Sequence, residues 1–234
     1  MGSSVYEETV FRIAGDRGLL AEYGDAIDPE INRKVRSMAV ALCREPVEGV
    51  VEFIPTYRSI IFMYNPLVTN PARLEKELRA IEERLAEIEI PPPDTVEVPV
   101  CYGGDLGPDI DTVAEVHGLT AADVIEIHTK PAYLVYMTGF TPGFPFVGGL
   151  DERLHTPRRQ TPRTSVPAGS VGIANNQTGI YSINSPGGWQ LIGRTPVKLF
   201  DPSKNSFLLK TGDLLRFYAI TREEYDRMAK GGEA

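Results

Sequence analysis

The chain has 234 residues, of which 42% are hydrophobic and 24% are charged, a composition typical of folded globular proteins. Its formal net charge of −8 argues against a nucleic-acid partner, because binding to phosphate backbones depends on clustered Lys and Arg. No run approaches the ~20 apolar residues of a membrane span, and the first residues lack a signal-peptide pattern, so we expect a cytoplasmic protein with no membrane partner.

The N-terminal part of the chain begins with a predicted hairpin and a predicted helix. The hairpin covers residues 10–23, and its turn contains Gly15 and Gly18, which tolerate positive φ. Asp28 followed by Pro29 predicts the start of a helix, since Asp is a favoured N-cap and Pro a favoured first helical residue. Apolar residues then recur at helical spacing as far as Leu42.

A second hairpin and a second helix follow. Residues 50–54 and 59–64 are rich in β-branched and aromatic side chains, which predicts two paired strands. Asn70 and Pro71 open an amphipathic helix whose apolar stripe runs to Ile88, with charged residues on its other face. The charged face is expected to be solvated surface.

A run of prolines, Pro91-Pro92-Pro93, divides the chain into two predicted domains, because it cannot continue a helix and forms a stiff connector. The first domain, residues 1–91, has the order ββαββα. Packing both helices on one face of a small antiparallel sheet would bury their apolar stripes. The second domain covers residues 94–234.

The second domain begins with mixed structure and ends as a series of strands. A strand at 96–102 precedes helices at 109–116 and 121–128, the later one behind a capping box that opens with Thr120. Strand patterns separated by turn residues then predict an all-β barrel. They lie at 132–137, 171–174, 197–200, 207–209 and 214–219, and a closing helix is predicted at 221–230.

Positive charge is concentrated in residues 138–196 of this acidic chain. The planar fork of arginine fits carboxylate and phosphate oxygens, so the concentration predicts an anionic ligand such as a carboxylate substrate or a nucleotide. Pairing of the same arginines with acids elsewhere in the chain is the alternative. The stretch holds Arg153, Arg158, Arg159, Arg163 and Arg194 against Asp151 and Glu152.

The same stretch contains several corners built from glycine and proline. Prolines fix φ and glycines let backbone N–H groups approach a ligand closely, so these corners suit a rigid anion site beside the arginines. The tight corners of a barrel would use the same residues. Trp189 fits a ligand platform and a core residue equally well. The main segments are Thr141-Pro142-Gly143-Phe144-Pro145 and Ser185-Pro186-Gly187-Gly188-Trp189.

His155 is the strongest candidate for a proton carrier among the three histidines. It lies among the arginines, and neighbouring positive charge favours a neutral imidazole that can accept a proton. His117 and His128 lie on predicted helices, where we expect them to pack or cap.

No metal site is predicted. Asp105, Asp109 and Asp111 lack the spacing of an EF-hand loop, and helix capping explains them more simply. Cys43 and Cys101 are too few and too far apart for a zinc knuckle or a disulfide framework. The motifs G-x-S-x-G, Walker A and H-E-x-x-H are also missing, so the usual self-contained hydrolase and NTPase signatures do not occur.

Four long segments carry a family resemblance: CYGGDLGPDIDTVAEVHGL, GFTPGFPFVGGLDERLHTPRR, VPAGSVGIANNQTGIY and SPGGWQLIGRTPVKLFDP. From about residue 98 to residue 215 the chain resembles the B subunit of 5-oxoprolinase, in the carboxyltransferase subdomain C and D family, which includes allophanate hydrolase subunit 1 and the KipI-type inhibitors of a sporulation histidine kinase. The chain departs from the common pattern at Ala174-Asn175-Asn176, where glycines are usual, at Phe146, where tyrosine is common, and at Ser182, where proline often follows the tyrosine.

This resemblance implies an α+β fold, with an N-terminal ββαββα sandwich domain followed by a C-terminal cyclophilin-like β-barrel. It implies ATP-dependent opening of 5-oxo-L-proline to L-glutamate together with the A and C subunits. The C subunit has a related barrel, which is expected to face this one across a shared cleft. ATP, with Mg²⁺, would be shared with the partner subunits, and the isolated chain is expected to be inactive.

Two other functions stay open within the resemblance. One is KipI-like inhibition of a sensor histidine kinase. The other is allophanate hydrolysis or a urea carboxylase-associated role. Homodimerisation in the absence of a partner is also left open.

The expected reaction assigns roles to particular residues. His155 and Arg158 are the predicted catalytic residues, His155 as proton carrier and Arg158 as a clamp on the anionic intermediate. Arg159 and Arg194 would add further clamps, and backbone N–H groups near Gly187 and Gly188 would donate hydrogen bonds. The residues predicted to bind substrate or nucleotide are Phe140, Pro142, Gly143, Phe144, Arg159, Gln177, Gly187, Gly188, Trp189 and Arg194.

Overall fold

The computed structural model describes residues 5–231, and the chain divides into two units, Met1–Pro92 and Pro93–Ala234. Both units combine helices with antiparallel strands, and the second contains a closed β-barrel, so the predicted α+β class is confirmed. Within the described residues, no helix has the length and apolar character needed to cross a membrane.

The first unit has the predicted order ββαββα, with its strands in the spatial order β1-β2-β4-β3. All three neighbouring pairs are antiparallel. The elements are β1 (Val5–Ala14), β2 (Gly18–Gly24), α1 (Pro29–Arg44), β3 (Val50–Pro55), β4 (Ser59–Tyr64) and α2 (Pro71–Glu82), followed by a 3₁₀ turn at Leu85–Glu87.

Local sequence explains where both helices of this unit begin. The Asp28 carboxylate accepts hydrogen bonds from the backbone N–H groups of Glu30 and Ile31 at 2.7 and 3.2 Å, which satisfies two free donors of α1. The Asn70 side chain does the same for the Arg73 N–H of α2 at 3.0 Å. Each helix buries its apolar stripe: Ile31, Val35, Met38 and Leu42 on α1, and Leu74, Leu78 and Ile81 on α2.

The second unit carries the remaining strands and three helices. The predicted closing helix is confirmed as α5. The elements are β5 (Thr95–Tyr102), α3 (Ile110–His117), α4 (Ala121–Thr129), β6 (Ala132–Thr138), β7 (Pro145–Gly148), a 3₁₀ turn (Glu152–Leu154), β8 (Arg163–Val166), β9 (Ser170–Ala174), β10 (Gln177–Ile180), β11 (Ser185–Gly187), β12 (Gln190–Arg194), β13 (Phe200–Asp201), β14 (Ser206–Phe207), β15 (Leu214–Ala219) and α5 (Arg222–Gly231).

The barrel of this unit closes through the strand order β10-β7-β6-β15-β5-β12-β9, with β9 paired to β10. Strands β15 and β5 run parallel, and the other neighbours are antiparallel. Apolar side chains from these strands and from α3 and α4 fill the interior, including Val98, Tyr133, Val147, Ile173, Ile192 and Phe217. The connections at the ends of β6, β10 and β11 leave this core and form the surface described below.

His128 packs inside the barrel, as predicted, and is held by hydrogen bonds on both ring nitrogens. The Thr178 hydroxyl donates to the Gly172 carbonyl at 3.1 Å, so His128 Nε2 is the donor in its 2.8 Å bond to Thr178 Oγ1. His128 Nδ1 then accepts from the Tyr102 hydroxyl at 2.8 Å. Complete burial lowers the pKa of His128 to about 3, so the ring is neutral at physiological pH.

Two element predictions are wrong. The helix expected to reach Ile88 ends at Glu82, because the chain tightens into a 3₁₀ turn that keeps Leu85 buried. Residues 197–199 are not a strand, since the Thr195 hydroxyl accepts a hydrogen bond from the Val197 N–H at 3.1 Å and turns the chain. Strands β7, β8, β10, β11 and β12 were not among the predicted ones.

Candidate functional site

A cavity of about 390 Å³ lies at the surface of the second unit, where loops before β7, before β8 and on either side of β11 meet. We call it the aromatic cavity, because five ring side chains line it together with glycines, prolines and one cation. Its lining residues are Phe140, Phe144, Phe146, Arg158, Pro162, Tyr181, Pro186, Gly187, Gly188 and Trp189.

Phe144 is the centre of this arrangement. Its ring centroid lies 5.7 Å from that of Trp189 and 5.5 Å from that of Tyr181, both nearly perpendicular to it, and 4.8 Å from that of Phe146. Edge-to-face packing of this kind stabilises aromatic clusters beyond the area they bury. Phe144, Tyr181 and Trp189 are almost completely buried, so the cavity has a rigid floor. Trp189 is therefore both a core residue and a cavity wall.

Glycine at position 187 allows Tyr181 to reach this floor. A Cβ added to Gly187 would lie 2.2 Å from the Tyr181 hydroxyl oxygen, a distance that no substituted residue could keep. Burial raises the pKa of the Tyr181 phenol, although its hydrogen bond with the Trp189 backbone and the charge of Arg158 oppose this. The hydroxyl therefore stays protonated near neutral pH and can donate a hydrogen bond.

Among the residues that the structure describes, Arg158 is the one cation that lines the aromatic cavity. Its guanidinium carbon lies 6.0 Å from the Trp189 ring centroid, at the edge of the cation–π range. Among residues 5–231, no acidic side chain forms an ion pair with it. Its charge is thus available to an anion that enters the cavity.

The other arginines of the predicted cluster do not converge on this cavity, so the expected ring of arginine clamps is wrong. Arg159 and Arg163 both bind Oδ1 of the buried Asp109, at 3.0 and 2.8 Å. Arg153 pairs with Asp151 at 2.7 Å. Asp109 lies outside residues 138–196, the stretch in which the positive charge is concentrated.

Asp109 has a different role from the helix capping that its position suggests. It occupies the N-cap position of α3, yet its side chain makes no capping bond. Its second oxygen instead accepts the Leu191 backbone N–H at 2.7 Å. One carboxylate thus ties the start of α3 to β12, to the loop that carries Arg159 and to the first residue of β8, Arg163.

His155 lies next to the cavity in sequence but does not line it. Its Nε2 lies 3.1 Å from the Leu150 carbonyl oxygen, which only accepts hydrogen bonds, so Nε2 carries a proton there. Proton transfer by this ring would then use Nδ1. Its role as a proton carrier stays a prediction.

Phe140 stands at the mouth of the cavity in a strained conformation. Its φ is 63°, a region that bulky side chains rarely adopt, and a 2.7 Å bond from the Thr141 N–H to the Gly139 carbonyl closes the turn. The ring is 69% exposed and contacts Phe144 edge-on at 5.7 Å. Strain of this kind is found at ligand sites, where the surrounding structure holds it in place.

The remaining predicted site residues lie elsewhere. Gly143 packs beside Phe200 and Phe207 of the β13–β14 hairpin, and the neighbouring Pro142 is exposed. Gln177 begins β10 opposite Ala174. Arg194 lines a different, larger cavity beside α5.

Four lining residues were not among the predicted binding residues, although Pro186 lies in one of the glycine and proline corners that the sequence indicated. Phe146 and Tyr181 are aromatic residues that each lie two positions from a glycine, a signal that was present but also fits core strands. Pro162 and Pro186 flank the loops that carry Arg158 and Trp189. The missed lining residues are Phe146, Pro162, Tyr181 and Pro186.

Comparison with known proteins finds a matching family model and similar curated proteins. The family model described as "Carboxyltransferase domain, subdomain C and D" matches residues 9–209. A curated relative from Bacillus subtilis, the B subunit of 5-oxoprolinase, is 43% identical over 225 residues, which cover 90% of this chain and 92% of the relative.

Two solved structures share the fold. The crystal structure of TTHA0988 matches 87% of this chain with a TM-score of 0.76 at 38% identity, and this chain spans 39% of it. The structure of the K. lactis urea amidolyase matches 95% of the chain with a TM-score of 0.78 at 25% identity, and this chain spans 15% of it. In both structures the shared fold is therefore one part of a longer chain.

Proposed function

Because the chain belongs to the carboxyltransferase domain, subdomain C and D family, we propose that it is the B subunit of an ATP-dependent 5-oxoprolinase. The enzyme hydrolyses 5-oxo-L-proline to L-glutamate, and this chain works with the A and C subunits. The identity to a named B subunit over 92% of that relative's length supports the assignment. Two cysteines without disulfide partners, one exposed and one buried, fit a reducing, cytoplasmic setting.

We place the substrate in the aromatic cavity. 5-Oxo-L-proline is a small anion with a nearly flat five-membered lactam ring and one carboxylate. Ring faces and edges around Phe144 suit the flat ring, and an arginine fork suits the carboxylate. The volume of about 390 Å³ lies at the lower end of the roughly 300–1,000 Å³ found for small-molecule sites. The single observation that carries this placement is the position of Arg158 beside Trp189, where no acidic side chain of the described part of the chain pairs with it.

The chemistry requires the lactam to be activated. An unstrained amide resists water, and transfer of the ATP γ-phosphoryl group to the lactam oxygen would turn that oxygen into a leaving group. Water then attacks the same carbon, and the C–N bond breaks as the nitrogen takes up a proton, which gives γ-glutamyl phosphate. A second water hydrolyses this acyl phosphate to glutamate and inorganic phosphate, and ADP is the other product. The Tyr181 hydroxyl on the cavity floor would donate to the lactam oxygen, and Arg158 would hold the carboxylate through each step.

Partner subunits complete the site in this proposal. Residues 5–231 contain no group of three or more His, Cys, Asp or Glu side chains that could hold a metal ion, and Mg²⁺ enters as part of the Mg·ATP co-substrate. The related barrel of the C subunit would close over the aromatic cavity and exclude water. His155 is a proton carrier only if this closure brings substrate to its Nδ1.

The test is reconstitution of this chain with the A and C subunits and measurement of ATP-dependent glutamate formation. Arg158→Ala is expected to raise the KM for 5-oxoproline by at least about tenfold, because a charge-assisted hydrogen bond to the carboxylate is lost. Arg158→Lys is expected to recover part of the loss. Arg153→Ala is the matched control, since Arg153 is exposed, pairs with Asp151 and lies outside the cavity lining.

Unchanged kinetics in Arg158→Ala would remove the cavity from the mechanism. The same reconstituted complex distinguishes the two alternative functions. Turnover of allophanate in place of 5-oxoproline would favour the urea carboxylase-associated role. Block of a histidine kinase's autophosphorylation by a chain that supports no glutamate formation would favour the inhibitor.

A further inference from the structure

A second and larger cavity, of about 930 Å³, lies between the β12–β13 connection and α5. We call it the α5 cavity. None of its lining residues belongs to the aromatic cavity, so the two are separate openings on the second unit. Its volume lies at the upper end of the roughly 300–1,000 Å³ range of small-molecule sites and is more than 5-oxoproline needs.

Positive charge lines one side of the α5 cavity. Arg194 donates through Nε to the Ala168 carbonyl at 2.8 Å, which orients its guanidinium plane. No partner of its two terminal nitrogens occurs among residues 5–231, and Lys198, which is exposed, forms no ion pair there either. The arginine fork can bind phosphate oxygens through two parallel hydrogen bonds, and an exposed lysine adds a point charge that also binds phosphate.

The remaining polar groups fit the same ligand. Asn184 accepts the Ala168 N–H through Oδ1 at 2.7 Å, which leaves its amide NH₂ free to donate. Asp201 is the acid of this cavity, and it already accepts hydrogen bonds from Ser203 and pairs with Lys204 at 3.7 Å. The lining therefore holds two cations that form no ion pair among residues 5–231, on a chain whose net charge is −8. The Asp105 carboxylate interacts with Arg194 through its charge, but its ion pair is with Arg222.

The other side of the α5 cavity is aromatic and apolar. Phe200 stacks on Phe207 with a centroid distance of 4.9 Å, so one face of that ring is already covered. Tyr225 of α5 is half-buried, makes no ring contact with another described residue and lies beside Met228. A free aromatic face with an adjacent thioether suits stacking of a nucleobase.

We propose that the α5 cavity binds the nucleotide of the reaction, with the phosphates at Arg194 and Lys198 and the base against Tyr225. This inference rests on the proposed function for its need of ATP, and it adds the location. It separates the two ligands on one barrel: the small carboxylate enters the aromatic cavity, and the nucleotide enters the α5 cavity.

The experiment combines photolabelling and titration on the full chain and on the reconstituted complex. With 8-azido-ATP, label is expected on the α5 peptides between residues 223 and 230, and excess ATP should prevent it. Fluorescent N-methylanthraniloyl-ATP then gives a dissociation constant. Arg194→Ala should raise it by at least about tenfold, as expected for a charge-assisted phosphate contact, and Lys198→Ala by a smaller factor. Inorganic tripolyphosphate should compete if the phosphates supply most of the affinity.

Arg216→Ala is the matched control, since Arg216 is an exposed residue of β15 with the same charge and lines neither cavity. Lys198 is exposed, so its variant tests the proposal even if Arg194→Ala unfolds, which circular dichroism would detect. Three results would overturn the proposal. The label could appear outside α5, the affinity for ATP could be the same in both cavity variants as in Arg216→Ala, or neither the chain nor the complex could bind ATP. If glutamate formation continues in those cases, the B-subunit assignment stands and only the nucleotide site is lost.

Discussion

Replacement of Asp109 should destabilise the second unit, because this buried carboxylate joins three parts of it. Asp109→Ala leaves the buried Leu191 N–H without its acceptor, which costs about 1–3 kcal/mol. It also removes the partner of Arg159 and Arg163, whose side chains are 36% and 23% exposed. Water still reaches both guanidinium groups, so the penalty of about 3–5 kcal/mol for breaking a fully buried pair falls to roughly 1–2 kcal/mol.

The two contributions together predict a loss of about 3 kcal/mol for Asp109→Ala. At roughly 2–4 °C per kcal/mol for a chain of this size, the melting temperature should fall by about 10 °C. Asp109→Asn keeps an acceptor for the Leu191 N–H and should cost less than half as much. Calorimetry and urea denaturation measure both variants.

A different result is expected if Arg159 and Arg163 bind a ligand rather than stabilise the fold. If Arg159 and Arg163 served mainly as ligand clamps, Asp109→Ala would free them, leave the melting temperature within about 2 °C of the native value and strengthen anion binding. Arg153→Ala, which breaks an exposed pair, is the control and should shift the melting temperature by no more than about 2 °C.

Three further predictions concern the cavity floor, the barrel interior and the cavity mouth. Gly187→Ala should displace Tyr181 and raise the KM for 5-oxoproline. Gly188→Ala is the control for the fold: its Cβ would lie 3.6 Å from its nearest neighbour, so the melting temperature should stay unchanged. The pKa of buried His128, about 3, lies below its unfolded value, so the unfolded chain gains the proton first and stability is lost as pH falls below about 6.5. Urea denaturation should show a loss between pH 7 and pH 5 that is about 2 kcal/mol smaller in His128→Gln, and an equal loss in both proteins would contradict this. Phe140→Gly should relieve about 1 kcal/mol of backbone strain, so the unfolding free energy should not fall while the KM rises; a clear loss of stability would show that the turn is unstrained.

The fold could be predicted where the determining interactions are local. Asp28 and Asn70 cap the helices that follow them within three residues, and the apolar stripes repeat along the same helices. The barrel strands β10 and β12 were missed, because they contain glycine and glutamine, and pairing with distant strands rather than intrinsic propensity determines them.

The site was harder to predict, since two of its predicted arginines form ion pairs with a residue that is distant in the sequence. Asp109 lies 50 and 54 residues before the two arginines it binds, so a charge balance within one segment could not include it. The aromatic members were more accessible to sequence reasoning: Phe140, Phe144 and Trp189 were predicted, and all three line one cavity. Their neighbour Tyr181 was missed because an aromatic residue directly after residues 177–180 also fits a core strand, and its packing against Gly187 depends on how the chain turns between the two.

The most direct test of the account uses Trp189, which is the only tryptophan of the chain and a wall of the aromatic cavity. Fluorescence of the reconstituted complex is recorded as 5-oxo-L-proline is added, and a complex with Trp189→Phe supplies the background of the other subunits. We predict a saturable change in the difference signal, which Arg158→Ala shifts to higher concentration and which 2-pyrrolidinone, lacking the carboxylate, fails to produce at the same concentrations. A complex that forms glutamate from saturating 5-oxoproline while the Trp189 signal stays constant would show that the substrate binds elsewhere.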